Sequence, residues 1–251
     1  MQRKRNIIRT MAVVICALGI MTAAVQAHGA ENEFTAVSTD QLKAMIDAKK
    51  DFTLIDARTT TEYADAHIVG AISIPENKFE ESVNLLPADK NKLLVFYCNG
   101  VKCGKSKKAA AKATTAGFKS LHIYSEGFPV WEEKKLNIVA GPEYGNKVET
   151  KAMSPAELAK LIDNKSKEYV LVDVREEVEY RQGHIPGAIN IPVDVFAARS
   201  GVLPKEKNII VYCNTGVRSY AAYRKLMRLA YPSMAEAKFV DWKDAGYPIE
   251  K

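Results

Sequence analysis

The amino-acid sequence predicts an α/β protein of two like domains, each a parallel sheet flanked by helices on both faces. Three observations predict it. Short apolar runs alternate with amphipathic helical patterns through most of the chain, the order that places a parallel sheet between two helix layers. The pattern occurs twice, over 35–140 and 150–251. Its landmarks keep a nearly fixed offset: Asp56 and Asp173 are 117 residues apart, His67 and His184 also 117, Cys98 and Cys213 115.

Residues 1–27 stand outside this plan. Arg3, Lys4, Arg5 and Arg9 form a basic head, Met11 to Val25 is an almost unbroken apolar run, and Val25-Gln26-Ala27 supplies small residues for cleavage. This is the pattern of a secretory signal peptide cut after Ala27, which places the mature protein in the periplasm or outside the cell. The apolar run of about 15 residues is short for a membrane span of about 20. No stable membrane insertion is therefore expected after cleavage, an uncleaved anchor being the alternative. Cys16 follows Ile15, where a lipid-attachment site needs a small residue. The four basic residues of this segment account for four of the six net positive charges, leaving about +2, which is no footprint for nucleic acid.

The first domain opens with Ser38-Thr39-Asp40-Gln41 ahead of a helix through Leu42, Met45 and Ile46, and the second with Ser154-Pro155-Ala156-Glu157 ahead of Leu158, Leu161 and Ile162. Both read as capping boxes, the second with Pro in the first helical turn. Buried strands follow at Phe52–Asp56 and Tyr169–Asp173. His67-Ile68-Val69-Gly70-Ala71-Ile72 then matches His184-Ile185-Pro186-Gly187-Ala188-Ile189, each leading to Ile-Pro. Strands Leu93–Tyr97 and Ile209–Tyr212 end on Cys98 and Cys213. Helices through Ala109–Ala116 and Ala221–Leu229, apolar runs at Leu121–Tyr124 and Lys238–Val240, and Trp131 and Trp242 complete the halves. Residues 141–149, with Gly141, Pro142 and Gly145, are the expected linker.

Three cysteines remain after residue 27: Cys98, Cys103 and Cys213. An odd, small number in an exported chain is not a disulfide framework, so reactive thiols are the better reading. In parallel α/β sheets the ligand site lies beyond the carboxyl ends of the strands, where Cys98 and Cys213 both fall. A helix start and a nearby cation favour thiolate over thiol, typically lowering a cysteine pKa from about 8.5 to roughly 3.5–7.5. Cys213-Asn214-Thr215-Gly216-Val217-Arg218-Ser219 has that build. Three thiols and scattered histidines show no metal-ligand spacing, so neither metal nor other cofactor is expected. His67 and His184 lie far in sequence from the loops and read as structural; the two Trp read as core.

The loop Cys213-Asn214-Thr215-Gly216-Val217-Arg218 resembles the Cys-x-x-Gly-x-Arg active-site loop of rhodanese-type sulfurtransferases. Asp173-Val174-Arg175 resembles that family's Asp-x-Arg, Gly183-His184-Ile185-Pro186-Gly187-Ala188 its Gly-His-Ile-Pro-Gly-Ala segment, and Ala245-Gly246-Tyr247-Pro248 its closing Ala-Gly-x-Pro. The resemblance extends over two tandem copies. It implies that Cys213 attacks the outer sulfur of a donor such as thiosulfate, holds it as a persulfide and passes it to cyanide or a thiol. Backbone amides from Asn214, Thr215, Gly216 and Val217 to Ser219 would cradle the anionic sulfur. Arg218 would hold the donor or strengthen the field at the thiolate. Asp173 with Arg175, and Asp56 with Arg58, would brace the loops, a direct substrate role for Arg175 being the alternative. The expected partners are a small anionic sulfur donor and a thiol acceptor, small molecule or protein.

The first domain departs from the pattern. Cys98 to Ser106 is two residues longer than Cys213 to Ser219, carries Lys102 and Lys105 in place of arginine, and adds Cys103. Lysine is a point charge where arginine is a planar fork, so donor binding there should be weaker or differently selective. Three readings stay open: Cys98 as a second nucleophile, Cys98 and Cys103 as a redox or resolving pair, or a docking domain. Two rivals to the whole reading are a sulfur-carrier or thiol redox module acting on a partner protein, and a cysteine-dependent phosphatase or arsenate reductase. The last needs five residues between Cys and Arg; Cys213 and Arg218 have four.

Overall fold

In the computed structural model, which describes residues 34–164 and 166–251, the first half builds a five-stranded parallel sheet. Its strands are β1 (Thr35–Val37), β2 (Phe52–Asp56), β4 (Ala71–Ser73), β5 (Leu93–Tyr97) and β6 (Leu121–Tyr124), in the order β1-β6-β5-β2-β4. The short β3 (Ala66–Ile68) pairs antiparallel with β7 (Ile138–Ala140) apart from that sheet. The signal-peptide expectation falls outside the described residues. Leu94 to Tyr97 are buried without alternation, as a central strand covered on both faces must be. One face carries α4 (Lys105–Thr115), which lays Ala109, Ala110 and Ala113 against Phe79 and Phe118. The other carries α1 (Thr39–Asp47) and α5 (Gly127–Glu133), which bring Leu42, Phe128 and Trp131 together. Two shorter helices, α2 (Thr60–Asp65) and α3 (Phe79–Ser82), complete the half.

The second half repeats the design with β8 (Tyr169–Asp173), β9 (Ile189–Asn190), β10 (Asn208–Cys213) and β11 (Met234–Lys238), all parallel in the order β11-β10-β8-β9. Its helices are α6 (Pro155–Asp163), α7 (Glu177–Gln182), α8 (Phe196–Arg199), α9 (Val217–Arg228) and α10 (Phe239–Asp244). Both expected capping boxes form, at Ser38 with Gln41 and at Ser154 with Glu157. The last strand lies earlier than the apolar run Lys238–Val240 suggested. In β11 only the small Ala235 and Ala237 are buried, with Glu236 between them held by Thr150 Oγ1 at 2.6 Å, so hydropathy passes over it; Phe239 already begins α10.

The two halves pack into one compact unit. Glu133 at the end of α5 is buried in this interface. Its carboxylate accepts the amides of Ala197 (2.8 Å) and Ala198 (3.0 Å) at the start of α8, and the Lys225 ammonium of α9 at 2.5 Å. Arg228 of α9 pairs with Asp65 (2.7 Å) and Glu132 (2.9 Å) and lies over the ring of Tyr144 in the linker. No helix among the described residues is long and apolar enough to cross a membrane.

Candidate active site

β10 is bounded by β8 and β11, so its carboxyl end is held on both sides and Cys213, its last residue, cannot wander. The thiol is only 1% exposed, at the floor of a loop whose Asn214, Thr215 and Val217 face solvent. Gly216 turns the chain with φ of +108°, in the left-handed region that favours glycine. This turn aims its amide at Cys213 Sγ, 3.2 Å away. Of the loop amides expected to cradle the sulfur, this one donates to it. Ser219 Oγ lies 3.6 Å from the same sulfur, 3.0 Å from Gly216 O and 3.2 Å from Glu236 Oε2. Asn214 O accepts Val240 N–H at 3.2 Å, which ties the loop to α10.

Arg218 is organised by a partner absent from the sequence reading. Its Nη1 and Nη2 form a fork on Glu179 Oε2 (2.5 Å) and Oε1 (2.9 Å). The Arg218 hydrogen bond holds the Glu179 carboxyl below its usual range. The same hydrogen bond to Glu179 favours the protonated guanidinium against the opposing push of burial. Arg218 is thus a fixed cation beside the loop rather than a direct ligand of the sulfur. Lys238, whose Cε would lie 3.4 Å from a Cβ placed on Gly216, is a second cation at this rim.

Below the loop, Asp173 and Arg175 form a buried pair, Nε to Oδ1 at 3.0 Å and Nη2 to Oδ2 at 2.5 Å. Arg175 also donates to Gly183 O (2.8 Å) and lies over the Phe239 ring at 4.0 Å. Asp56 and Arg58 copy the arrangement with Ala66 O and Phe128. These arginines face their own carboxylates, where they brace the strand ends. His67 and His184 stack on Tyr63 and Tyr180 and meet the carbonyl oxygens of those same residues.

The first-domain loop is built differently. Cys98 Sγ lies 3.2 Å from Cys103 O and 3.3 Å from Ser106 Oγ. A carbonyl oxygen can only accept, so Cys98 is a thiol donating to it. Cys103 is half-buried. The neighbouring Cys103 side chain first, then burial, pushes the Cys98 thiol far up. Cys98 in turn draws Cys103 below the ordinary thiol range against the opposing push of burial, with help from the amides of Asn99 and Lys105 and the Lys105 charge. Lys105 takes the place of Arg218, 3.4 Å from Glu62, which also accepts from the Asn99 amide group. Burial pushes Glu62 upward, but the Thr59 amide, Asn99, the Thr59 hydroxyl and Lys105 outweigh it and hold the carboxyl at about 2. Lys102, expected beside a donor, leaves the thiols and donates to Leu203 O of the second domain at 2.6 Å.

Glu62 and Glu179 are the residues that motif reading missed. Their signal was present: each is three residues into a helix start, at Thr59 and at Glu176, and they share the 117-residue offset. No cluster of three or more metal-ligating side chains occurs among the described residues.

Comparison with known proteins bears on both loops. The family described as "Rhodanese-like domain" matches residues 38–134 and 154–244. A sulfurtransferase of Allochromatium vinosum is 33% identical over 86 residues, 34% of this chain and 80% of that protein. The probable adenylyltransferase/sulfurtransferase MoeZ of Mycobacterium tuberculosis is 33% identical over 81 residues, 32% of this chain but 20% of its own length. Among solved structures, a thiosulfate sulfurtransferase from Pseudomonas aeruginosa is 21% identical with a TM-score of 0.39, covering 86% of this chain and 43% of that one.

Proposed function

Because the chain belongs to the rhodanese-like domain family and carries that domain twice, we propose that this sulfurtransferase moves sulfane sulfur from an anionic donor such as thiosulfate through a persulfide on Cys213. The observation that carries the reading is the Cys213 loop: a strand-end sulfur receiving the Gly216 amide at 3.2 Å, directly before α9. The Cys213 sulfur attacks the outer sulfur of the donor, and the sulfur–sulfur bond of thiosulfate breaks with sulfite as leaving group. The new outer sulfur lies over the solvent-facing Asn214 and Thr215, where the helix start favours its negative charge. A thiolate or cyanide acceptor then attacks that outer sulfur and Cys213 leaves as thiolate, a two-step exchange with ping-pong kinetics. Arg218, fixed by Glu179, supplies positive charge to the approaching donor without itself moving.

The test is thiosulfate:cyanide exchange with wild type and Cys213→Ser, joined to mass spectrometry after donor treatment. Wild type should gain one sulfur on Cys213, lost again with cyanide. The variant should lose most of the exchange, a fall of about 10³-fold or more, as for removal of a covalent nucleophile. Full activity in Cys213→Ser would overturn the assignment.

A further inference from the structure

The first-domain loop brings two cysteines together, with Cys98 Sγ 3.2 Å from the Cys103 carbonyl oxygen. Cys98 is sealed, 1% exposed, and donates its proton to the Cys103 carbonyl oxygen. Cys103 is half-exposed, stands just before the start of α4, and is the more acidic thiol, drawn down first by the Cys98 side chain. The site is also closed by the other half of the molecule. Lys102 is clipped to Leu203 O, and a Cβ on Gly201 would lie 3.6 Å from Val101 Cγ2. The second domain thus closes over a loop that lacks the arginine.

We propose that Cys98 and Cys103 form a second site that reduces sulfane sulfur to sulfide, with Cys103 as the acceptor and Cys98 as the resolving thiol. The inference rests on the reading that these domains accept sulfane sulfur. Cys103 thiolate attacks the outer sulfur of a donor such as thiosulfate, giving a Cys103 persulfide and releasing sulfite. Cys98 then attacks Cys103 Sγ. The Cys103–outer sulfur bond breaks, the Cys98 proton leaves with the outer sulfur as hydrosulfide, and a Cys98–Cys103 disulfide forms. Two thiols are oxidised as one sulfane sulfur is reduced, so a single turnover needs no outside oxidant. A thiol or dithiol reductant resets the pair. Because Cys98 Sγ already lies 3.2 Å from Cys103 O, the resolving step joins two residues of one loop, and a lone strand-end cysteine such as Cys213 cannot perform it.

The experiment uses full-length Cys213→Ser protein, reduced, freed of reductant under argon and treated with thiosulfate. Sulfide should appear in an amount equimolar with the chain. Unreduced tryptic digestion cuts after Lys102, between the cysteines, so the disulfide should appear as peptide 93–102 linked to peptide 103–105. Cys98→Ser on the same background should release no sulfide and keep one extra sulfur on Cys103. Three results overturn the proposal: Cys213→Ser protein that neither gains sulfur nor releases sulfide, protein that holds a stable persulfide without sulfide, or a disulfide without matching sulfide. The Cys213→Ser measurement stands even if the Cys98 variant does not fold. Sulfur loading of Cys213 in wild-type digests reports separately on the proposed transfer reaction.

Discussion

Glu62 and Glu179 show how one carboxylate serves two tasks in each domain. Each accepts the amide of its own helix start and also holds the cation that follows the cysteine loop. The pH consequence can be worked out for Glu62. A carboxyl whose folded pKa is depressed contributes stability that is complete above its ordinary value near 4.5 and is lost as pH falls toward about 2. Glu62→Gln keeps the shape and removes the charge. The wild type should therefore be more stable than Glu62→Gln by about 1–3 kcal/mol at pH 7, the range for a charged hydrogen-bond acceptor. That gap should hold to about pH 5 and shrink below it, as read from urea midpoints across pH 3–7; a gap that widens on acidification would contradict the assignment.

The loop–helix junctions set the geometry of the site at the scale of elements. α5 starts against the Cys98 loop, where Phe128 N–H donates to Cys98 O at 2.9 Å. Gly127 precedes it with φ of +72°, and a Cβ there would overlap Cys98 O and Gly100 N. Gly117, after α4, has φ of +93° and open space around its missing Cβ. Alanine at 117 should cost only the left-handed conformation, about 1–2 kcal/mol. Alanine at 127 should cost at least about 2 kcal/mol more, since the Cys98 backbone itself must shift. Equal costs in chemical denaturation would show that the loop is free to move. The sequence marks both glycines alike; only the neighbouring backbone tells them apart.

The molecule as a whole is joined through buried charge. Glu133 is 4% exposed and is the shared acceptor for two α8 amides and Lys225. Wild type should unfold in one calorimetric transition, and Glu133→Ala should split it or lower stability by about 1–3 kcal/mol, because two α8 amides and the half-buried Lys225, which keeps Val193 O, lose a charged acceptor. A single transition within about 1 kcal/mol of wild type would mean the domains are coupled elsewhere. The sequence by itself determined the α/β class, the duplication, the buried strands, both capping boxes and the strand-end positions of Cys98 and Cys213. Those features arise from short-range periodicity and from turn chemistry that a repeat displays twice. Tertiary structure alone decided that Arg218 is held by Glu179, that β11 is a strand despite its alanines, and that Lys102 joins the halves over the Cys98 loop. These outcomes depend on residues tens to more than a hundred positions apart, whose meeting is set by packing and leaves no mark in local pattern.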